Sequence, residues 1–292
     1  MRGFRTDLAM ESVGEESGRL EGVSMSAHQI GGVKRTRIVI QSRRAAEALQ
    51  RPMGEYITLE CPELARCEQQ ERQMLIRLIA QAVRALLPRE GEVLVVGLGN
   101  RNVTADALGT RVVERTLVTR HLGESLAREM QGRLRGVSAI APGVLGLTGI
   151  ETAELCRGLI QRVRPAAVIA IDALAAFDSG RICSTIQITN TGIEPGSGVG
   201  NHRCPLSRDT LGVPVYAIGV PTVVDAATLT LDVLEEAGKS DVDPAALRGH
   251  ETVMVTTRDI DAQIRELARV IGYGIDLALQ PLDFSELCAL MG

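Results

Sequence analysis

Val93-Leu94-Val95-Val96-Gly97-Leu98-Gly99-Asn100 and Val168-Ile169-Ala170-Ile171-Asp172-Ala173-Leu174 are the stretches that decide the fold. Each is an unbroken aliphatic run that gives way to a turn of small residues. The first continues through Val103-Thr104-Ala105-Asp106-Ala107-Leu108-Gly109. A strand with one wet face alternates apolar and polar residues, so uninterrupted runs indicate strands covered on both faces, as in a parallel sheet between helix layers. Ligands of open α/β sheets bind in the crevice beyond the carboxyl ends of such strands. Asp106 and Asp172 stand where these two runs end, which makes them candidates for paired acid and base work.

Working outward, short strands are expected at Arg35–Gln41 and Tyr56–Glu60. Met74, Leu75, Leu78, Ile79, Ala82, Val83 and Leu86 recur at helical spacing and predict an amphipathic helix over 70–87, ended by Pro88 and Gly91. Strands follow at 92–97, 137–141, 166–171, 183–188, 213–219 and 252–255, with helices over 106–118, 122–134, 150–163, 221–237 and 258–279. Thr256 and Asp259 suggest a capping box on the last of these. Alternating strands and helices predict an α/β fold, a three-layer α/β/α sandwich with a mostly parallel central sheet. Residues 1–33 are polar, rich in Gly, Ser and Glu, and read as a short mobile leader. Residues 34–292 read as a single domain.

The 292 residues are 45% hydrophobic but only 2% aromatic, so the core must be aliphatic. A net charge of -4 argues against a general nucleic-acid binder. No apolar run reaches membrane-spanning length, and Met1–Leu20 lacks the apolar centre of a secretory signal. Cys61, Cys67, Cys156, Cys183, Cys204 and Cys288 form no C-x-x-C pair and read as reduced thiols of a cytoplasmic protein.

Other motifs have plain structural readings beside functional ones. Gly97-Leu98-Gly99 begins a dinucleotide fingerprint, but Asn102 stands where its third glycine belongs, so a tight strand-to-loop turn is the better account. Asp106 and Asp172 read equally as helix caps from local pattern. Gly192–Asn201 carries four glycines in ten residues, a loop able to cradle an anion or a peptide backbone through its N–H groups. Pro142–Gly149 is more apolar and suggests a pocket wall. Asp225 reads as a first-turn acid of the following helix. No H-E-x-x-H and no G-x-S-x-G elbow occurs. His121 and His202 are the central imidazoles, and neither supplies a convincing third ligand beside the two aspartates, so no cofactor and no metal are expected.

Taken together, Gly97–Asn100, Val103–Gly109, Val118–Leu122, Ala141–Thr152, Ile169–Ala176, Gly192–Asn201 and Ala217–Ala226 closely resemble the spore germination protease family. The resemblance covers roughly residues 92–237 and, weakly, the last helix. It implies an atypical aspartic endopeptidase that degrades the small acid-soluble proteins of spores during germination, with a fold related to hydrogenase-maturation peptidases. It also implies a homotetramer of the forespore and spore core, with no direct nucleic-acid or membrane partner.

Asp106 and Asp172 match the family's paired aspartates, and Gly196, Ser197, Gly198 and Gly200 are the expected substrate-binding residues. Thr6-Asp7-Leu8-Ala9-Met10-Glu11 resembles the self-cleavage site, with the cut between Asp7 and Leu8, so that residues 1–7 are a propeptide made in a zymogen. Two readings stand beside this one: metal-assisted hydrolysis of the maturation-peptidase type, and a relative that binds spore proteins without cutting them. Asn190 where Asp is expected before Thr-Gly, and a short 238–251 region, are the departures from the family pattern.

Overall fold

The computed structural model describes residues 6–13, 20–62, 64, 68–122, 134–197, 203–239, 247, 250 and 252–291. In chain order it contains α1 (Ala9–Ser12), β1 (Val23–Ile30), β2 (Val33–Ile40), α2 (Arg43–Leu49), β3 (Gly54–Glu60), α3 (Gln69–Leu86), β4 (Val93–Gly97) and a 3-10 turn (Thr104–Asp106). Then come α4 (Leu108–Val113), β5 (Val137–Ile140), α5 (Leu145–Thr148), α6 (Thr152–Val163), β6 (Ala167–Ala175), β7 (Thr185–Thr189), α7 (Arg208–Leu211), β8 (Val215–Asp225), α8 (Ala226–Glu236), β9 (Met254–Val255), α9 (Ile260–Leu279) and α10 (Phe284–Met291).

The sheet runs β1-β2-β3-β7-β8-β6-β4-β5, with β9 on the far end of β8. The α/β class stands, but the sheet is mixed and not mostly parallel. β5, β4, β6 and β8 are parallel neighbours, whereas β8-β7, β7-β3, β3-β2 and β2-β1 are antiparallel. The reason is local. The unbroken aliphatic runs belong to β4, β6 and β8. The chain between β6 and β7 spans only 176–184, shorter than a parallel crossover requires. Likewise β1 and β2 are joined by the Gly31-Gly32 turn, with Gly31 at φ +58°.

Alternating residues of the parallel strands point into two aliphatic cores. Val93, Val95, Ile169, Ile171, Ile218 and Val220 pack with α3 and α9 on one face. Leu94, Val96, Val168, Ala170 and Val215 pack with α6 and α7 on the other. Each large aliphatic side chain buried this way contributes about 1.5–3 kcal/mol, and the two covered faces give the three layers.

Several expected boundaries shift. The 8–33 leader is ordered over its described residues: it supplies α1 and the edge strand β1, whose mostly exposed residues carry little apolar signal. Strand 166–171 extends to Ala175 and strand 213–219 to Asp225, so Asp172 lies inside β6 and not beyond its end. Asp225 is the N-cap of α8, accepting from Thr228 N at 2.7 Å, and not a first-turn acid. The 106–118 helix is a 3-10 turn followed by the shorter α4. Most of the 122–134 helix lies outside the described residues. Thr256 forms no capping box; its hydroxyl donates to Thr222 O, and Asp259 caps α9 without a side-chain bond.

Asp276 of α9 is an oddity of the core at 1% exposure. Its Oδ1 accepts from Leu117 N at 2.9 Å, while Oδ2 has no hydrogen-bond partner among the described residues. Burial pushes its carboxyl up to about 7 from 3.8. A carboxyl whose folded pKa is raised penalises the fold as it ionises. That penalty is absent below the unfolded value and complete above the folded one. Asp276→Asn keeps an acceptor for Leu117 and cannot ionise. It is expected to stabilise the protein by up to about 4 kcal/mol above neutral pH and by almost nothing below about pH 4, since one pKa unit is about 1.4 kcal/mol. Urea unfolding midpoints across that range test this, and a pH-independent difference from wild type would refute it.

Candidate active site

Asp106 is set at the ends of β4 and β6 by close backbone packing; neither it nor Asp172 is among the residues lining the crevice described below. A Cβ on Gly97 would lie 2.1 Å from Gly109 O, and one on Gly109 would lie 2.4 Å from Ile171 O. Two glycines therefore let α4 sit directly on the ends of β4 and β6. The turn 99–106 is as tight: Gly99 has φ +97°, and a Cβ there would lie 1.9 Å from Asp106 O. Asp106 does not cap α4. Its Oδ2 turns back to accept from Asn100 N at 2.7 Å, and the turn is tied to β8 by Thr222 Oγ1 donating to Ala105 O at 2.6 Å.

Asp172 is buried, and its Oδ1 accepts from Ala173 N at 3.0 Å. Its carboxyl is held well above the usual range, first by burial and then by the negative charges of Asp106 and Asp7. Asp106 is half-buried, and burial raises it too, against the Asn100 N–H that lowers it. The charge of Asp106 is thus felt at Asp172, and that of Asp7 adds to it.

Asp7 comes with the segment that holds it. Thr6–Glu11 lies along the extension of β6. Asp7 N donates to Ala175 O at 3.1 Å, and Asp7 Oδ2 accepts from Ala175 N at 2.9 Å. Asp7 Oδ1 accepts from Ser197 Oγ at 2.7 Å. Burial raises Asp7, offset by these two bonds and by the Arg51 guanidinium. Arg51 itself binds Thr6 O and donates to Ser12 Oγ at 3.0 Å. Leu8 is fully buried against Leu174, Ala176 and Val224. Ala9 N donates to Gln187 Oε1 at 2.7 Å, and Gln187 Nε2 donates to Asp7 O at 3.2 Å. Glu11 accepts from Phe177 N at 2.8 Å and Asp178 N at 3.1 Å and pairs with Arg181 at 3.2 Å. The sheet floor beneath, with Tyr56, Gln187, Thr189, Ala217 and Gly219, opens into a crevice of about 1070 Å3 that Asp7 and Ser197 also line.

Of the expected substrate-binding residues, Ser197 touches the segment through its hydroxyl, not through the N–H cradle the glycines suggested. Gly196 shapes the turn before it at φ +74°. Gly198 and Gly200 lie outside the described residues, as does His202. His121 sits at the opposite end of the strands: Thr119 N bonds Val137 O at the start of β5, and Arg120 pairs with Glu92 just before β4. It is no partner for the aspartates. Among the described residues no group of three His, Cys, Asp or Glu side chains is arranged to hold a metal ion. Asn190 accepts from Glu55 N at 2.9 Å, a strand-capping contact. Pro142–Gly149, expected as a pocket wall, forms α5 with Leu147 exposed and contributes no described residue to the crevice.

Sequence reading missed Arg51 and Gln187. Arg51 carries no local signal. Gln187 carries a weak one, as a polar residue between Ile186 and Ile188 in a buried strand.

The germination protease family model matches residues 5–240. The chain is 43% identical to the germination protease of Caldanaerobacter subterraneus subsp. tengcongensis, over 96% of this chain and 95% of the relative. It is 40% identical to that of Clostridium tetani, over 95% of each. Against the Bacillus cereus germination protease it is 46% identical, over 80% of this chain and 66% of the relative. This chain belongs to the germination protease family.

Proposed function

We propose that this protease is an aspartic-type endopeptidase that cuts small acid-soluble spore proteins during germination, and that it is made as a zymogen that removes residues 1–7 itself. What carries the reading is the position of Thr6–Glu11. A segment resembling a cleavage site lies along the extension of β6, which also carries Asp172, with carbonyl and amide groups engaged on both sides of the Asp7–Leu8 bond.

In this mechanism Asp106 and Asp172 hold one proton between them, because two nearby buried carboxylates do not both ionise cheaply. The deeper Asp172 carries the proton, and the more accessible Asp106 takes one from water. The hydroxide oxygen bonds to the scissile carbonyl carbon, and the leaving amine receives the proton of Asp172. Ser197, the Ala175 N–H and Arg51 around Asp7 favour an acidic residue before the bond. Leu174, Ala176 and Val224 favour an aliphatic residue after it. The assembly is a homotetramer in the forespore and spore core.

The test is incubation of the purified mature enzyme with a purified small acid-soluble spore protein, followed by mass spectrometry of the products. Cuts after acidic residues are expected, with activity unchanged by exhaustive chelation. An intact substrate at every pH leaves the binding-only alternative, and chelation that abolishes cutting, with rescue by one divalent metal, selects the metal-assisted one.

A further inference from the structure

We propose that Gln187 is a catalytic residue whose side-chain amide polarises the carbonyl of the bond being cut and sets the register of the chain across it. The inference rests on the reading of Asp7–Leu8 as a cleaved bond. Gln187 Nε2 donates to the Asp7 carbonyl oxygen at 3.2 Å, and Oε1 accepts from Ala9 N–H at 2.7 Å. One planar group therefore engages the carbonyl before the bond and the amide of the second residue after it. Only a carboxamide side chain offers a donor and an acceptor at that spacing; a carboxylate at neutral pH offers acceptors alone, and an aliphatic chain offers neither.

The sheet places this residue on the same face as Asp172. Thr58 pairs with Gln187, Gln187 with Gly219, and Gly219 with Asp172, so the four stand in one cross-strand row on one face. Strands lie about 4.8 Å apart, so Gln187 and Asp172 stand about 10 Å apart, with Gly219 between them covered by the Leu174 side chain, on which Leu8 packs. Gln187 sits in the middle of β7 and is 7% exposed with Thr6–Glu11 in place.

When the water oxygen bonds to the Asp7 carbonyl carbon, the electron pair of the C=O π bond moves onto oxygen, where the Nε2–H group meets the developing charge. Collapse of that intermediate restores the C=O bond and breaks the bond to Leu8 N. The proton lost by the water resides on one carboxyl, and the other carboxyl has supplied the leaving nitrogen.

The experiment follows self-processing of the full-length chain by intact mass and N-terminal sequencing, in wild type, Gln187→Leu and Gln187→Glu. Gln187→Leu is expected to slow appearance of the Leu8 terminus by about 100-fold or more, the usual loss for one such donor, with an unchanged circular dichroism spectrum. Gln187→Glu keeps the acceptor for Ala9 N–H but turns a carboxylate toward the carbonyl oxygen. Its rate relative to wild type should climb at least about tenfold as acid protonates that carboxyl into a donor. A purely structural role leaves this ratio flat.

Folded Gln187→Leu processing within about threefold of wild type overturns the inference, and so does a flat ratio for Gln187→Glu. The ratio decides alone if the leucine variant does not fold. Wild type that cleaves itself elsewhere, or not at all, shows instead that the bond was misread, and the inference falls with it.

Discussion

Asp172→Asn and Asp106→Asn are each expected to slow cleavage by at least about 1,000-fold while leaving the protein folded. General acid–base steps contribute about 100- to 10,000-fold, and a pair sharing one proton loses both roles when either member is lost. The fold should survive for stated reasons. Asparagine at 172 still offers an oxygen to Ala173 N, and asparagine at 106 still offers one to Asn100 N. Asp172→Asn also removes a buried carboxyl that the charges of Asp106 and Asp7 disfavour, so its stability above neutral pH should equal or exceed that of wild type. The two measurements move in opposite directions, which separates chemistry from unfolding. A folded variant of either kind that cuts a small acid-soluble spore protein at a near-normal rate would remove that aspartate from the mechanism.

Self-processing should begin the mature chain at Leu8 and run at least about tenfold faster in mild acid, around pH 5.5, than around pH 8. Burial, with the charges of Asp106 and Asp7, holds Asp172 well above the ordinary aspartate value; burial likewise raises Asp7 and Glu11. At alkaline pH the carboxylates around the bond are ionised together and no acid remains for the leaving amine. As pH falls through the raised value of Asp172, the pair takes up the single proton it needs.

Protonation of Glu11 also weakens its acceptance from Phe177 N and Asp178 N, which hold the far end of the segment in place. Release from a position only about 1 Å out of line is worth on the order of 100-fold in rate. In still stronger acid the second carboxyl protonates and the rate falls again. Intact-mass time courses across that range test the claim. A mature start other than Leu8, a rate that rises with pH, or processing that persists in Asp106→Asn would each contradict it.

The covered strands and the α/β class were legible in the sequence alone, which also nominated Asp106 and Asp172 as a catalytic pair. The strands were legible because their signal is local: an unbroken Val/Ile/Leu run has nowhere to sit but between two apolar layers, whereas the continuation of β6 past Asp172 to Ala175 left no such mark. Thr6–Glu11 was also singled out, because it resembles the family's self-cleavage site.

Only the tertiary structure decided the rest, since it depends on contacts between distant parts of the chain. Whether β7 and β3 join parallel or antiparallel follows from connection length and pairing partner, not from the apolar pattern of either strand. β1 was hidden because an edge strand exposes most of its residues. Gln187 is the sharpest case. In sequence it is one polar residue in an apolar strand, and it gains meaning only because pairing sets it in a row with Gly219 and Asp172 while Asp7 and Ala9 arrive from the other end of the chain.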